Sequence, residues 1–320
     1  MRERAQIRLL PDGHRLHLHD GPIDLILEAF GVSAEINTAY RAATERFVTV
    51  LDELCSELSF LRQPARMGSP PPAGAVARRM VAAVAPHGEW TFITPMAAVA
   101  GAVAEEILSA MTSAAHLSRA YVNDGGDIAL HLAPGEHFVV GMVERPDRPS
   151  LFGTVNLHSA QPVRGIATSG WRGRSFSHGI ADAVTVLADR AAMADAAATV
   201  IANAVDLPGH PSVVRVPARN LAPDSDLGDR LVTQAVGNLF PSEIASALDT
   251  GVAVAQARLS GGLIRAAALN LRGQTRIVGF PETDRALTLE KFVDRPQHIV
   301  TPRNESLPVS ATADPSLRSG

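Results

Sequence analysis

The stretch Gly165–Thr199, GIATSGWRGRSFSHGIADAVTVLADRAAMADAAAT, decides how this chain reads. It opens on a strand that ends in Ala167-Thr168-Ser169-Gly170, a turn whose hydroxyls and backbone amides suit a phosphate or a ring carbonyl. Trp171 offers a flat face for a planar ring, and fits equally as a half-buried residue closing a strand. Arg172 and Arg174 form a local basic spot suited to a small anion. His178 lies among polar, flexible residues with Asp182 four positions on, an arrangement that serves a base and its partner or a structural histidine. A strand at Ala183–Ala188 then leads into an alanine-rich helix on which Asp195 and Thr199 share a face. That pair could offer two oxygens to a hard cation such as Mg2+, whose other ligands come from phosphate and water. Spacing alone favours a simpler role for Asp195, capping or complementing the N-terminus of its own helix.

Upstream, Tyr121–Leu130 reads YVNDGGDIAL, two strands joined by a polar turn. Asn123 and Asp124 tolerate left-handed backbone, Gly125 and Gly126 let a ligand approach the main chain, and Asp127 could accept hydrogen bonds from a ribose or a base. Asp-Gly is also an ordinary hairpin signal, so the turn alone decides nothing. Before it, Pro95 to about Met111 reads as a small-residue helix with Thr94 as its cap and Gly101 allowing close approach to a neighbour. Glu105 and Glu106, adjacent on that helix, point apart and do not make a paired-carboxylate site.

Working further out, residues 5–19 read as a hairpin around Pro11-Asp12-Gly13, with His17 and His19 on one solvated strand face and no acidic partner at matching spacing. Ile36, Tyr40, Ala43, Phe47, Leu51, Leu54 and Leu58 recur three or four apart, one helix over 33–61 capped by Ser33. The lone Cys55 falls within that pattern and is expected to be buried, since a free cysteine behaves as a small hydrophobe. Proline and glycine over residues 63–74 predict a flexible loop. Another helix is expected over about 75–84 and a strand at 90–94. Strands follow near 119–122, 127–132, 137–143, 153–159, 163–168, 183–188, 212–218, 262–271 and 275–280, with helices near 191–205, 228–238 and 241–259. Consecutive strands without regular βαβ alternation predict an α+β fold with mixed or antiparallel sheets flanked by helices. Residues 1–301 read as a single domain, with two lobes allowed by the 63–74 loop, and residues 302–320 as a disordered tail.

Of 320 residues, 46% are hydrophobic, and the net charge is −4, a balance against broad nucleic-acid or anionic-membrane binding. One cysteine excludes an internal disulfide. The N-terminus carries no apolar run of signal-peptide length, and Pro95–Ala104 is too short an apolar run to span a bilayer, so a cytoplasmic location is expected. No P-loop, zinc cluster, Gly-x-Ser-x-Gly elbow or Rossmann fingerprint is present. The alanine-rich helices are compatible with a homodimer without requiring one.

The order of motifs carries more than any one of them. A small-residue helix, GGD at 125–127, ATSG at 167–170, SHGIAD at 177–182 and ADAAAT at 194–199 together resemble the ApbE-like superfamily of FAD:protein FMN transferases. The resemblance spans roughly residues 90–205. It implies an ApbE-like, T-fold-related α+β fold that binds FAD, a nucleotide-type small molecule, with Mg2+ held against the pyrophosphate. It also implies transfer of FMN to a serine or threonine of an acceptor protein. By position, Asp195 and Thr199 would hold the metal. Asn123, Gly125, Gly126, Asp127, Thr168, Ser169, Gly170, Trp171 and Arg172 would surround the cofactor, and His178 with Asp182 would assist transfer. Two family segments are altered: PMAAVAGAVAEE has neither the lysine nor the tyrosine of Gly-Gly-x-Ala-Lys-Gly-Tyr, and HGIADAVTV lacks Pro-x-Thr-Gly. A non-catalytic flavin binder, or a cofactor-biosynthesis protein acting on another small molecule, is therefore the alternative to a transferase.

Overall fold

A computed structural model of the protein describes residues 4–65, 71–143, 151–279 and 299–300. The expected tail at 302–320 and residues 66–70 of the expected loop lie outside the described residues. The main element is a nine-stranded sheet in the order β1-β2-β3-β4-β5-β8-β9-β12-β13, antiparallel at every pairing. Its strands are β1 (Gln6–Leu9), β2 (Leu16–Asp20), β3 (Ile23–Phe30), β4 (Arg119–Asp124), β5 (Asp127–Leu132), β8 (Gly165–Ser169), β9 (Ala183–Ala188), β12 (Ala266–Leu271) and β13 (Gln274–Val278). Between β5 and β8 the chain leaves this sheet to form β6 (His137–Val143) and β7 (Leu151–His158), which with β14 (Ile299–Val300) make a three-stranded sheet. A two-stranded ribbon joins β10 (Val213–Pro217) to β11 (Leu231–Val236).

Helices α1 (Ser33–Ser56), α2 (Leu58–Leu61), α3 (Ala75–Val84), α4 (Val99–Ala114), α5 (Ala191–Ala204), α6 (Ala218–Leu221) and α7 (Pro241–Ser260) complete the α+β architecture. Helices α1, α3 and α4 pack with β2–β4 around Leu18, Leu25, Phe47 and Met80; α5 and α7 close a second core with β9 and β12. The three-stranded sheet buries Phe138, Val140 and Leu157 against Ile128, Leu130 and Ile166 of the larger one. That sandwiching is why β9 and β12 are buried at every position and read as unbroken apolar runs.

Several sequence expectations change. Residues 231–236 form β11 rather than helix: β-branched Val232, Thr233 and Val236 suit a pleat, and the ribbon pairs Val236 with Val213. Residues 90–94 form no strand. The unanticipated β3 alternates inward Ile23, Leu25, Leu27 and Ala29 with Asp24, Ile26, Glu28 and Phe30, and the apolar Ile26 and Phe30 hide the period of two. His17 does have an acidic partner, Asp24 on that neighbouring strand. The long helix breaks at Glu57; Val32 precedes its first turn and Ser33 makes no cap. Cys55 is exposed, one step around α1 from buried Leu54. Thr94 supplies no cap either, its hydroxyl donating to Asp226. Pro95–Ala114 is, by length and a mean hydropathy of 1.2, apolar enough to cross a membrane, whereas only its first ten residues read as apolar. In the fold it is a core helix that buries Ala102, Val103, Ile107 and Met111.

Candidate functional site

At the end of the large sheet where β4 turns into β5 and β8 terminates lies a cavity of about 650 Å³. That volume is within the range that holds a small molecule or cofactor. Its apolar wall comes from β3, α1, α2, α4 and the 3-10 turn that precedes α4, including Ile23, Leu54, Leu58, Leu61, Met96 and Val103. Its polar wall is built from the β4–β5 turn, the segment after β8, and α5.

The turn is a tight hairpin that also borders the cavity. Asp124 pairs with Asp127 across a two-residue hairpin, and Gly125 and Gly126 take φ of +63° and +119°, backbone that side-chain-bearing residues rarely adopt. Asn123 Oδ1 accepts the Gly126 amide at 2.8 Å and locks the loop. All five residues of this turn line the cavity. Arg174 leans over Gly125, its Nη1 2.8 Å from where a Cβ would stand.

At the end of β8, Thr168, Ser169 and Gly170 also line the cavity. The Thr168 amide donates to Asp127 Oδ1 at 3.2 Å, and its hydroxyl pairs with that of Thr185 at 2.9 Å. Thr168 therefore positions Asp127 with the groups expected to meet a ligand. On α5, Asp195 and Thr199 face the same space. Asp195 does not cap its own helix, because it lies in the second turn. Its Oδ2 instead accepts the Gly101 amide at the start of α4, 3.0 Å away.

The cavity gathers carboxyl groups. Burial, then the neighbouring Asp127 charge, holds the Asp195 carboxyl well above the usual carboxylate range, with the Gly101 and Ala100 amides opposing. Asp124 is raised by the same two causes, with Arg174 and the Asp24 amide pulling the other way. Burial pushes Asp127 up to about 7. Carboxyl groups that disfavour one another's ionisation, next to a hydroxyl, form an all-oxygen donor set that fits a hard divalent cation. Among the described residues no three His, Cys, Asp or Glu side chains converge to hold a metal unaided. A cation on Asp195 and Thr199 would complete its shell from a bound molecule and water.

Three of the anticipated residues lie elsewhere: Trp171, His178 and Asp182 are not part of the cavity lining. Asp182 is 3% exposed and accepts from Arg172 Nε at 2.8 Å, the Arg272 amide at 2.6 Å and Trp171 Nε1 at 3.3 Å. That carboxylate ties the end of β8 to the β12–β13 turn. Trp171 packs on the second core with the Arg172 guanidinium 4.2 Å above its ring, while Arg172 itself reaches the cavity rim. The His178 Nδ1 pairs with the Leu231 carbonyl at 2.8 Å, and its amide donates to Asn203 in the last turn of α5. This is the opposite end of the helix from Asp195. Conversely, the cavity includes Asp24, Arg62, Asp124 and Arg174. Arg174 belongs to the basic spot read from the sequence and Asp124 to the YVNDGGDIAL turn; Asp24 lies on the unread β3 and Arg62 follows α2, where no local signal singled them out.

One cavity thus gathers the glycine turn, the end of β8 and the Asp-x-x-x-Thr face of α5. The chain belongs to the family described as "AbpE bacteria", whose model matches residues 7–277. It is similar to the UPF0280 protein of Methanopyrus kandleri, 41% identical over 129 residues, covering 40% of this chain and 48% of that protein. The UPF0280 protein of Methanococcoides burtonii is 39% identical over 140 residues, 43% of this chain and 55% of the relative. The chain thus spans about half the length of the curated relatives it matches. Among solved structures it is similar to the apo form of the Pseudomonas stutzeri flavinyl transferase ApbE. That likeness has 12% identity and a TM-score of 0.43, over 86% of this chain and 93% of that one. The flavin transferase ApbE of Vibrio cholerae is 13% identical with a TM-score of 0.35, over 86% and 97%.

Proposed function

We propose that the cavity binds a diphosphate-bearing cofactor, FAD or a close relative, together with Mg2+ on Asp195 and Thr199. The observation that carries this reading is the meeting of Asp127, Asp195 and Thr199 with Arg174 in one cavity whose opposite wall is aliphatic. Such a cavity suits a ligand with an anionic centre and an apolar end. Arg62 and Arg174 meet the anion, the Gly125-Gly126 backbone admits the ligand close to the turn, and Ile23, Leu54 and Met96 exclude water from its apolar part. Bound there, the cation would neutralise a diphosphate and favour cleavage between its two phosphorus atoms.

Whether the chain transfers the FMN half to a hydroxyl of an acceptor protein, or only binds the cofactor, turns on proton transfer. With His178 outside the lining, that task would fall to Asp127, a cavity carboxyl that burial pushes up to about 7. The displaced position of His178 favours the binder as the second reading. Flavin fluorescence titrated with FAD, with and without Mg2+, tests the first. Binding tightened tenfold or more by Mg2+ in the wild type, and not in Asp195→Ala, is expected. No FAD binding in either condition overturns both flavin readings. Chromatographic detection of AMP with wild-type protein and a threonine-containing acceptor separates transferase from binder.

A further inference from the structure

Helices α4 and α5 cross at their first turns, and neither begins with a side-chain cap of its own. Ala98 precedes α4 and Arg190 precedes α5, and neither side chain bonds the helix it introduces. Each helix supplies the carboxylate that the other lacks. Asp195 of α5 accepts the Gly101 amide of α4 at 3.0 Å; Glu105 of α4 accepts the Ala192 amide of α5 at 2.9 Å through Oε1. Gly101 and Glu105 are four apart, and Ala192 and Asp195 three apart, so both pairs share one face of their helix. The crossing is tight: a Cβ on Gly101 would overlap the Ala191 carbonyl, and one on Gly165 of β8 would overlap the backbone at Arg190 and Ala191. The start of α5 is therefore wedged between two residues without side chains. Glu105 is the charged side chain that holds it from within the crossing, with its Oε2 3.5 Å from Arg79 Nε.

We infer that Glu105 is a positioning residue for the cavity: by fixing the first turn of α5 it sets where the Asp195 carboxylate stands. The cation-affinity part of this inference rests on the reading of Asp195 as a metal ligand, while the orientation part does not. Glu106 supplies the control. It pairs with Arg46 and Arg79 in the same ionic network, and its hydrogen bonds reach α1 and α3, not α5. A residue acting only on stability and a residue acting on Asp195 can therefore be told apart within one network.

The experiment uses the full chain with Glu105→Ala, Glu105→Gln and Glu106→Gln. Hydrogen exchange of the Gly101 amide reports the Asp195 bond directly, and Mn2+ titration followed by electron paramagnetic resonance reports the site. Glu105→Ala is expected to speed Gly101 exchange at least tenfold and to weaken Mn2+ about tenfold, as losses of orienting partners do. Glu105→Gln, which keeps an acceptor for the Ala192 amide, falls between it and wild type and stays informative if the alanine variant does not fold. Glu106→Gln lowers the melting temperature and changes neither readout beyond about threefold. Unchanged Gly101 exchange in both Glu105 variants overturns the inference, as does an equal effect from Glu106→Gln. So does full Mn2+ affinity in Glu105→Ala. If wild-type protein binds no Mn2+, the cation reading of the cavity falls, and Gly101 exchange still decides the role of Glu105.

Discussion

Gly101 shows how much a single hydrogen can decide. With any side chain there, α4 could not lie against the Ala191 carbonyl, and Asp195 would lose its amide partner. Gly101→Ala is expected to cost at least about 2 kcal/mol, read from urea denaturation, because the obstructing atoms belong to the backbone and cannot rotate away. A second residue effect comes from His87, 1% exposed, whose Nδ1 has no hydrogen-bond partner among the described residues. Burial, with a smaller contribution from Arg258, lowers its pKa from 6.5 to about 4. The unfolded chain therefore takes up this proton first as pH falls. Its contribution to stability is complete above pH 6.5 and is lost between 6.5 and 4, by about 3 kcal/mol. His87→Leu should remove that part of the acid slope in denaturation midpoints measured across this range. Had Cys55 been judged by its exact place around α1 rather than by its residue type, its exposure would have been legible.

Among elements, helix starts are where local reading erred most. Ser33 and Thr94 have the right chemistry for caps, yet Val32 precedes α1 and the Thr94 hydroxyl turns to Asp226. Carboxylates distant in sequence do this work instead: Glu57 accepts the Gly74 amide before α3, and Glu105 serves α5. Ser33→Ala should accordingly change stability by no more than about 0.5 kcal/mol. Asp182 is the opposite case. Its carboxylate joins the end of β8 to the β12–β13 turn through three donors. Asp182→Asn should destabilise by about 2–3 kcal/mol, since it removes a buried charge with well-made bonds. Ligand affinity per folded molecule should stay within threefold, whereas a catalytic Asp182 would lose turnover without losing stability. Strands and helices with clean periodicity, such as α3 and β5, were legible; β3 and β11 were not, because Ile26 and Phe30 blurred one pattern and a chance helical spacing mimicked another.

For the whole molecule, the acidic cavity sets a balance between folding and binding. Burial penalises ionisation of both Asp127 and Asp195, and the Asp127 charge raises Asp195 further, so the folded chain without a cation is less stable at alkaline pH than its packing alone would make it. Asp195→Asn should raise the melting temperature of cation-free protein at pH 8 by about 3 °C, equivalent to about 1 kcal/mol, and abolish any further rise on adding Mg2+. A lower melting temperature in the variant would count against that repulsion. By itself the sequence determined the order of the motifs, the α+β class, the glycine turn and the one-turn spacing of Asp195 and Thr199, because these follow from local backbone preference and helical period. Only the tertiary structure decided which residues share the cavity. It brought Asp24, Arg62, Asp124 and Arg174 in and left Trp171, His178 and Asp182 out. The reason is physical: side-chain convergence follows from strand order and helix crossing, and the raised carboxyl pKa values follow from burial and mutual charge, neither of which exists until the chain has closed on itself.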